Sequence, residues 1–302
     1  RYPAMTELFQ YEFMRRALVA AVLIGLVTPT IGTFLVQRRL ALLGDGIGHV
    51  ALTGVALGLL TSTSPVLTAA IVSVLGAVLI ELVRVRTRTN ADVALALLFY
   101  GGIAGGVLLI GLTPGANNAT LTSFLFGSVS TVSEQDVWVV SALALGVLTV
   151  VAAHGRELFV LCQDEEVARA HGLPVRFLSV LLAVTAALTV VLAMRIVGVL
   201  MVSALMIVPV AAAQQLSKSF RVTMVLAVPI GLVSSLGGLS TAFYTDLAPG
   251  ATIVLLALAS FGLAVVVGMF GKRRPRHPLG GGTPKEEGVG TMLQSDRGRV
   301  TR

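Results

Sequence analysis

The stretch that decides the fold is Leu43-Gly44-Asp45-Gly46-Ile47-Gly48-His49-Val50-Ala51-Leu52, which opens a long apolar run with two ionisable residues. Asp45 and His49 are four residues apart, so on a helix both side chains point to one face. Ionisable residues inside a membrane are costly and usually functional. A carboxylate oxygen beside an imidazole nitrogen suits a divalent cation such as Zn²⁺ or Mn²⁺. The alternative is an interfacial helix cap with its charges in water, because Arg38 and Arg39 come just before it.

The composition around this stretch indicates an all-α polytopic membrane protein. Of the 302 residues, 55% are hydrophobic and 12% are charged, and the mean hydropathy of +0.91 is too high for a soluble domain of this length. The net charge of +7 does not indicate nucleic-acid binding, because Lys and Arg lie in loops between apolar runs, as membrane orientation requires. The single cysteine, Cys162, excludes an intramolecular disulfide and a thiolate metal cluster.

The apolar runs predict eight or nine transmembrane helices, at about 17 to 25 residues for each span. The runs cover residues 17–36, 45–62, 65–83, 92–112, 136–153, 177–194, 196–213, 222–243 and 250–270. The chain therefore divides into an N-terminal segment, 1–16, that we expect at the membrane interface, a transmembrane domain, 17–270, and a tail, 271–302. The tail is basic and rich in Gly and Pro, so we expect it to be disordered.

The basic residues predict which loops are cytoplasmic, because Lys and Arg collect on that side of a membrane. They form five groups separated by pairs of spans: Arg38 with Arg39, Arg84 to Arg88, Arg169 with Arg176, Lys218 with Arg221, and Lys272 to Arg276. Residues 89–155 contain neither Lys nor Arg, so the 115–133 loop belongs outside. Nine crossings then put the N-terminus outside, against the local charge of Arg15 and Arg16, and the C-terminus in the cytoplasm. Arg195 is also external, where we expect it to snorkel or to pair with Asp246 rather than to contact the substrate.

Small residues and prolines predict how the helices pack. Gly54 and Gly58 form a GxxxG spacing, which lets two helices approach closely. A proline inside a span removes a hydrogen bond, so a kink or break is expected at Pro29, Pro209 and Pro229. Pro209 follows the polar Ser203 in a run that is too close to its predecessor to be an ordinary helix. We therefore include Ser203 and Pro209 among the candidate pathway or packing residues.

Several segments, in order along residues 8–270, resemble the permease subunit of the zinc and manganese importers of the ATP-binding-cassette class, the ABC-3 family. The segments are 12–18, 36–49 with its Gly-Asp-x-x-x-His signature, 123–128, 164–175, 197–209 and 248–254. The resemblance implies a homodimeric permease domain of the type II ABC importer kind in the plasma membrane. It also implies two cytoplasmic ATPase subunits and an extracellular solute-binding protein that delivers the metal.

Within the resemblance, Asp45 and His49 match the signature residues that are associated with metal in the translocation pathway. Gly46 and Gly48 depart from it, since Ala and Ser are commoner at these positions. No cofactor is implied, and Zn²⁺ or Mn²⁺ is the transported substrate. The donor types accept both metals, and we expect zinc first.

The chain is not expected to be an enzyme, because it contains no G-x-x-x-x-G-K-[ST] loop for ATP hydrolysis. ATP hydrolysis would then come from a separate subunit, and the segment from Asp164 to Pro174 resembles the family's coupling segment. Acidic residues at its start and Gly172 near its end predict a short capped helix. The candidate coupling residues are Asp164, Glu165, Glu166, Ala168 and Gly172. The alternative is an ordinary solvated loop helix.

Two functions from different classes agree with these observations. The first is a permease subunit that is driven by separate ATPase subunits. The second is a stand-alone secondary transporter, in which Asp45 and His49 carry protons and an ion gradient supplies the energy. The coupling-like segment favours the first function, since a stand-alone carrier has no use for it. A permease for metal chelates is opposed by the chain length and by the signature.

Overall fold

The computed structural model describes residues 11–87, 91–113, 123–128 and 133–271, and within these ranges the regular structure is helical, without a strand. Its helices, numbered α1 to α10 here, are Glu12–Gln37, Leu43–Leu60, Pro65–Thr87, Ala91–Leu112, Glu134–Gln163, Glu165–Ala170, Val175–Met194, Val199–Leu216, Phe220–Thr245 and Pro249–Gly271. Residues 123–126 form a further helical turn. Among the described residues, all of α1 to α10 except the short α6 are long and apolar enough to span a membrane. The predicted spans are confirmed, whereas the predicted tail lies outside the described residues after Gly271.

Three helices form the centre of the bundle. In α1, α2 and α7 most of the apolar span is buried inside the protein, whereas α4, α5 and α10 are largely exposed. Helix α2 packs against α3, α4, α7 and α8, and α1 packs against α5, α8 and α9. The peripheral helices expose large apolar side chains, as expected for surfaces that contact lipid: Leu75, Leu79, Leu97, Leu145, Leu255 and Leu263. The helix that carries Asp45 and His49 is therefore a central one.

The predicted close packing at Gly54 and Gly58 is present between α2 and α3. A Cβ atom at Gly54 would lie 2.5 Å from the Cα of Ala69, and one at Gly58 would overlap the hydroxyl of Thr68. Both glycines contact α3. Their contacts are therefore packing contacts between helices. The expected break at Pro209 is wrong, because α8 continues without interruption to Leu216. The helices that contain Pro29 and Pro229 are also unbroken.

One end of the bundle, here called the plug end, comprises residues 123–128, the 195–198 turn and the start of α10. The backbone N–H of Ser128 donates to the carbonyl of Arg195 at 3.2 Å, and the Arg195 guanidinium lies over the Phe124 ring. Arg195 Nη2 is 2.5 Å from Asp136 Oδ2 in the first turn of α5. The expected pairing with Asp246 is therefore wrong, because Asp136 is the acidic residue that the fold brings to this guanidinium.

The opposite end, here called the arginine end, comprises Arg38, Arg84 and helix α6. Three groups of basic residues that were predicted to be cytoplasmic meet there, around a cavity of about 910 Å³. The start of α1 lies at the plug end instead, because Arg16 Nη2 is 3.7 Å from Glu134 Oε2 at the start of α5. Arg15 and Arg16 thus belong to the end opposite Arg38, because α1 crosses the bundle once between them. The C-terminal basic group, from residue 272, lies outside the described residues.

Candidate metal site

Asp45 lies in the first turn of α2, where its carboxylate is partly exposed. Its Oδ1 accepts a hydrogen bond from Ser203 Oγ at 3.3 Å. Ser203 lies on α8, which passes beside Gly44: a Cβ there would be in ordinary contact with Ser203 and Met206, at 3.5 to 3.6 Å. The structure therefore joins two of the predicted site residues, Asp45 and Ser203, whereas Pro209 lies buried further along α8. An acidic residue in the first turn is also favoured by the helix dipole.

His49 follows one turn later on the same face and is buried, with 9% of its surface exposed. Its ring packs edge-on against Phe99 of α4, with 4.4 Å between ring centroids. A Cβ at Gly102 would lie 2.7 Å from the backbone carbonyl carbon of His49, so α4 fits closely against this turn. Among the described residues, nothing forms a hydrogen bond with the buried His49 Nδ1. A buried nitrogen of this kind normally has a partner, so its lack of one among the described residues calls for an explanation.

These positions argue against the interfacial cap. The N-cap residue of α2 is Leu42, and no side chain caps the helix by a hydrogen bond. His49 is too buried to be a hydrated cap residue. No third His, Cys, Asp or Glu joins Asp45 and His49, since the described part of the chain has no group of three or more such residues. One copy of the chain therefore brings together a carboxylate, an imidazole and a serine hydroxyl.

The pair lies between the two ends of the bundle: Asp45 is in the first turn of α2, which follows the arginine end, and His49 is nearer the plug end. Gly48 faces Val199, the first residue of α8, and a Cβ at Gly48 would lie 3.2 Å from the Val199 carbonyl oxygen. Glycine at this position therefore allows a close approach of α2 to α8 that a serine would push apart slightly. Val199 directly follows the 195–198 turn, which contacts residues 123–128. Asp45 and His49 thus lie on α2, between the plug end and the arginine end.

The predicted coupling segment forms a short helix, α6, at the arginine end. The Asp164 carboxylate accepts hydrogen bonds from the backbone N–H groups of Glu166, at 2.8 Å, and Val167, at 3.3 Å. Ala168 is completely buried, and the chain leaves the helix through Gly172, whose φ is +74°. The predicted capped helix is confirmed, at six residues. The coupling residues are brought together with one another but lie apart from Asp45 and His49.

Arg38 is a residue of this region whose position the sequence did not reveal. Its side chain is only 7% exposed. Nη1 donates to Ser179 Oγ of α7 at 3.0 Å, and Nη2 donates to Glu165 Oε2 of α6 at 3.3 Å. Burial, followed by the nearby Arg84 guanidinium, lowers the pKa of Arg38 below its usual value. In the sequence, Arg38 looks like any basic loop residue. The only sign of its burial is the short distance between the apolar runs that come before and after it.

The family model described as the ABC 3 transport family matches residues 10–268. The chain belongs to the ABC-3 transport family. It is 35% identical to the manganese transport system membrane protein MntC of Halalkalibacterium halodurans, over 85% of this chain and 88% of that protein. It is 33% identical to a probable metal transport system membrane protein of Treponema pallidum, over 88% of this chain and all of that protein.

Solved structures agree with this assignment. The chain is similar to PsaBC from Streptococcus pneumoniae in complex with Fab, with a TM-score of 0.77 at 28% identity, over 86% of this chain and 95% of that one. It also shares its fold with an inward-facing putative metal-chelate type ABC transporter, with a TM-score of 0.67 at 15% identity. The second similarity covers 88% of this chain and 91% of the other, and it concerns the fold alone. This ABC-3 permease is thus an all-helical, multi-pass membrane protein of a transport system.

Proposed function

We propose that this chain is the membrane-spanning subunit of an ATP-driven importer of divalent metal, and that Mn²⁺ is its principal substrate. The observation that carries the proposal is the buried, unpartnered Nδ1 of His49 one turn from the Asp45 carboxylate. These two groups offer a nitrogen and an oxygen ligand, and the Ser203 hydroxyl orients the carboxylate. Such an arrangement has a reason to persist in an apolar bundle if a cation passes through it.

Manganese replaces zinc as the first candidate because of the relatives. The sequence favoured zinc on donor types that both metals accept. Two relatives at 35% and 33% identity are named manganese transport system membrane proteins. The oxygen donors at Asp45 and Ser203 also suit the harder Mn²⁺. Zn²⁺ stays the alternative substrate. Measuring uptake of each ion in the presence of the other distinguishes the two substrates.

We propose that two copies of the chain form the translocation unit. One copy offers too few ligands to hold a cation firmly, since structural metal sites in proteins usually have four or more. A two-fold axis beside the partly exposed Asp45, in the first turn of α2, would bring two Asp45 carboxylates to one ion, with the buried His49 of each copy one turn away. The family also supports an extracellular solute-binding protein as the metal donor and cytoplasmic ATPase subunits as the motor. The capped α6 at the arginine end is the natural contact for the ATPase.

The test is uptake of radiolabelled Mn²⁺ by cells that carry Asp45→Asn or His49→Ala. Each variant removes one of few ligands, so uptake should fall at least about 100-fold, the upper range for changes that only touch a ligand's own partner. His154→Ala is the matched control, because His154 of α5 also has a buried Nδ1 with no partner among the described residues. It should transport like the parent. Parental uptake by both site variants, at equal membrane abundance, would refute the site.

The orientation follows from the charges and from the meeting of three basic groups at the arginine end. We propose that the plug end faces outward and that the arginine end and the C-terminus are cytoplasmic. In a Cys162→Ala background, Leu247→Cys should react with an impermeant thiol reagent in intact cells, because Leu247 is exposed between α9 and α10. Lys218→Cys, between α8 and α9, should react only in opened cells. The reverse pattern would overturn the orientation.

A further inference from the structure

Arg38 connects three elements at the arginine end that are distant in sequence. It lies just after α1, and its guanidinium contacts Ser179 on α7 and Glu165 on α6 at the same time. The side chain is almost fully buried, whereas Glu165 keeps 43% of its side-chain surface exposed. Arg38 thus reaches from the interior of the bundle to a carboxylate on the surface helix. Such a bridge between a buried and an exposed element is suited to transmit a displacement.

The connection from Arg38 to the candidate metal site is short and hydrogen-bonded. Arg39 adopts a left-handed conformation with φ +59°, which is unusual for a residue other than glycine. The N–H of Leu40 donates to Leu35 at 2.9 Å, and the N–H of Leu43 donates to Leu40 at 3.0 Å. Leu40 and Leu43 are buried. The turn therefore holds the start of α2, with Asp45 in its first turn, in a fixed relation to Arg38.

Glu165 pairs with two arginines at once, one on its own helix and one outside it. Oε2 faces Arg38, while Oε1 is 3.2 Å from Arg169 Nη2, one turn further along α6. If α6 moves, Glu165 keeps its pair with Arg169, since both lie on that helix, but its contact with Arg38 must change. The cavity of about 910 Å³ that Glu165, Arg169 and Arg84 line gives α6 space to move. A physical coupling argument needs such an element with two arrangements.

We propose that Arg38 is a positioning residue that couples the movement of α6 to the position of Asp45 at the start of α2. The proposal rests on the proposed function, in which α6 docks on the ATPase and Asp45 contacts the metal. In the docked complex, the Glu165–Arg38 pair transmits the position of α6 to the α1–α2 turn. Without the pair, ATP hydrolysis continues but moves less metal.

The test uses the complete importer with its ATPase subunits, reconstituted in liposomes, and measures Mn²⁺ transported and ATP hydrolysed in the same sample. In Arg38→Gln, the ratio of Mn²⁺ to ATP should fall at least about fivefold, the lower limit for typical coupling between two sites. Glu165→Gln should lower the ratio similarly, and its partly exposed position makes it the variant that folds if Arg38→Gln does not. The double variant should be no worse than Arg38→Gln alone, because Arg38→Gln already removes the pair with Glu165.

The matched control is Arg16→Gln, which breaks the 3.7 Å ion pairs of Arg16 with Glu12 and Glu134 at the plug end, away from α6. Its ratio should change less than about twofold, because these are weak pairs near the surface. Arg38→Lys should recover part of the ratio, because it keeps the charge that faces Glu165. A parental ratio in Glu165→Gln, or an equal loss in Arg16→Gln, would overturn the proposal. Neither result would touch the proposed function, which fails only if Asp45→Asn and His49→Ala transport Mn²⁺ normally.

Discussion

The two ends of this bundle are held together by different kinds of contact. At the plug end, backbone meets backbone: a Cβ at Gly127 would overlap the carbonyl of Ile196, and one at Gly250 would overlap that of Val197. At the arginine end, long charged side chains surround a cavity of about 910 Å³. Closely packed backbone segments cannot take another arrangement unless they first move apart, whereas ion pairs can exchange partners. The comparison indicates that the plug end is rigid in this state and that the arginine end is the adaptable one.

This difference agrees with the proposed direction of control. A motor that binds at the arginine end needs contacts that rearrange at small cost, since exposed ion pairs each contribute little. The plug end has the opposite property, because backbone segments in close contact can move only when they separate. Packed interfaces change between discrete arrangements rather than deforming continuously. The following predictions test whether the two ends differ in this way.

The largest effect is expected at Gly198, in the turn between α7 and α8. Its φ is +85°, and a Cβ there would overlap the carbonyl of Leu125 and lie 2.5 Å from the N–H nitrogen of Gly127. With ψ at 148°, the backbone is in a region that essentially only glycine adopts. Gly198→Ala therefore combines this backbone strain with overpacking, together about 3 kcal/mol or more in the free energy of unfolding. Thermal unfolding of the detergent-solubilised protein, followed by size exclusion, measures the loss.

The control for Gly198 is Gly101 of α4, where a Cβ would meet nothing within 4 Å. Gly101→Ala should be neutral or slightly stabilising, because alanine favours a helix over glycine by up to about 1 kcal/mol. Equal unfolding temperatures for Gly198→Ala and the parent would show that the plug end yields to a methyl group. The comparison of the two ends would then fail at its rigid side.

An intermediate effect is expected where an ion pair does hold the plug end. The side chains of Arg195 and Asp136 are only 17% and 13% exposed. Asp136→Asn should cost about 2 kcal/mol of unfolding free energy, the range for a hydrogen bond to a charged group. Arg169→Gln at the arginine end breaks a pair whose side chains are 70% and 43% exposed, and should cost at most about 0.5 kcal/mol. Chemical or thermal unfolding of both purified variants compares them, and equal losses would contradict the difference between the ends.

Hydropathy was enough to predict the spans, because each helix must be apolar over the membrane thickness whatever its neighbours are. The α6 helix was also predictable, since its cap, Asp164, and its exit, Gly172, are local signals. The helix-face argument for Asp45 and His49 needed only their spacing. The burial of His49, which argues against the cap, depends on Phe99 and Gly102 of another helix.

Contacts between distant segments were not predictable from the sequence. Charge rules place Arg195, Asp136 and Asp246 on one side of the membrane but do not say which acid meets the guanidinium. The partner is chosen by the packing of the 195–198 turn against residues 123–128 beside the start of α5. In the same way, the charge of Arg38 indicated its side of the membrane, but it suggested an exposed residue rather than a buried one. The continuous α8 shows that Pro209 does not end a helix whose neighbours support it.

The smallest effect is expected at Gly172, which has a positive φ like Gly198 but does not share its surroundings. Its φ is +74°, and a Cβ there would meet nothing within 4 Å. Gly172→Ala therefore carries only the cost of a left-handed alanine, about 1 kcal/mol of unfolding free energy. Asparagine tolerates this conformation better, so Gly172→Asn should unfold at a higher temperature than Gly172→Ala despite its larger side chain. A loss at Gly172→Ala as large as that at Gly198→Ala would mean that the arginine end is as closely packed as the plug end. The opposite order of the Ala and Asn variants would mean that space, and not the positive φ, is what this position requires.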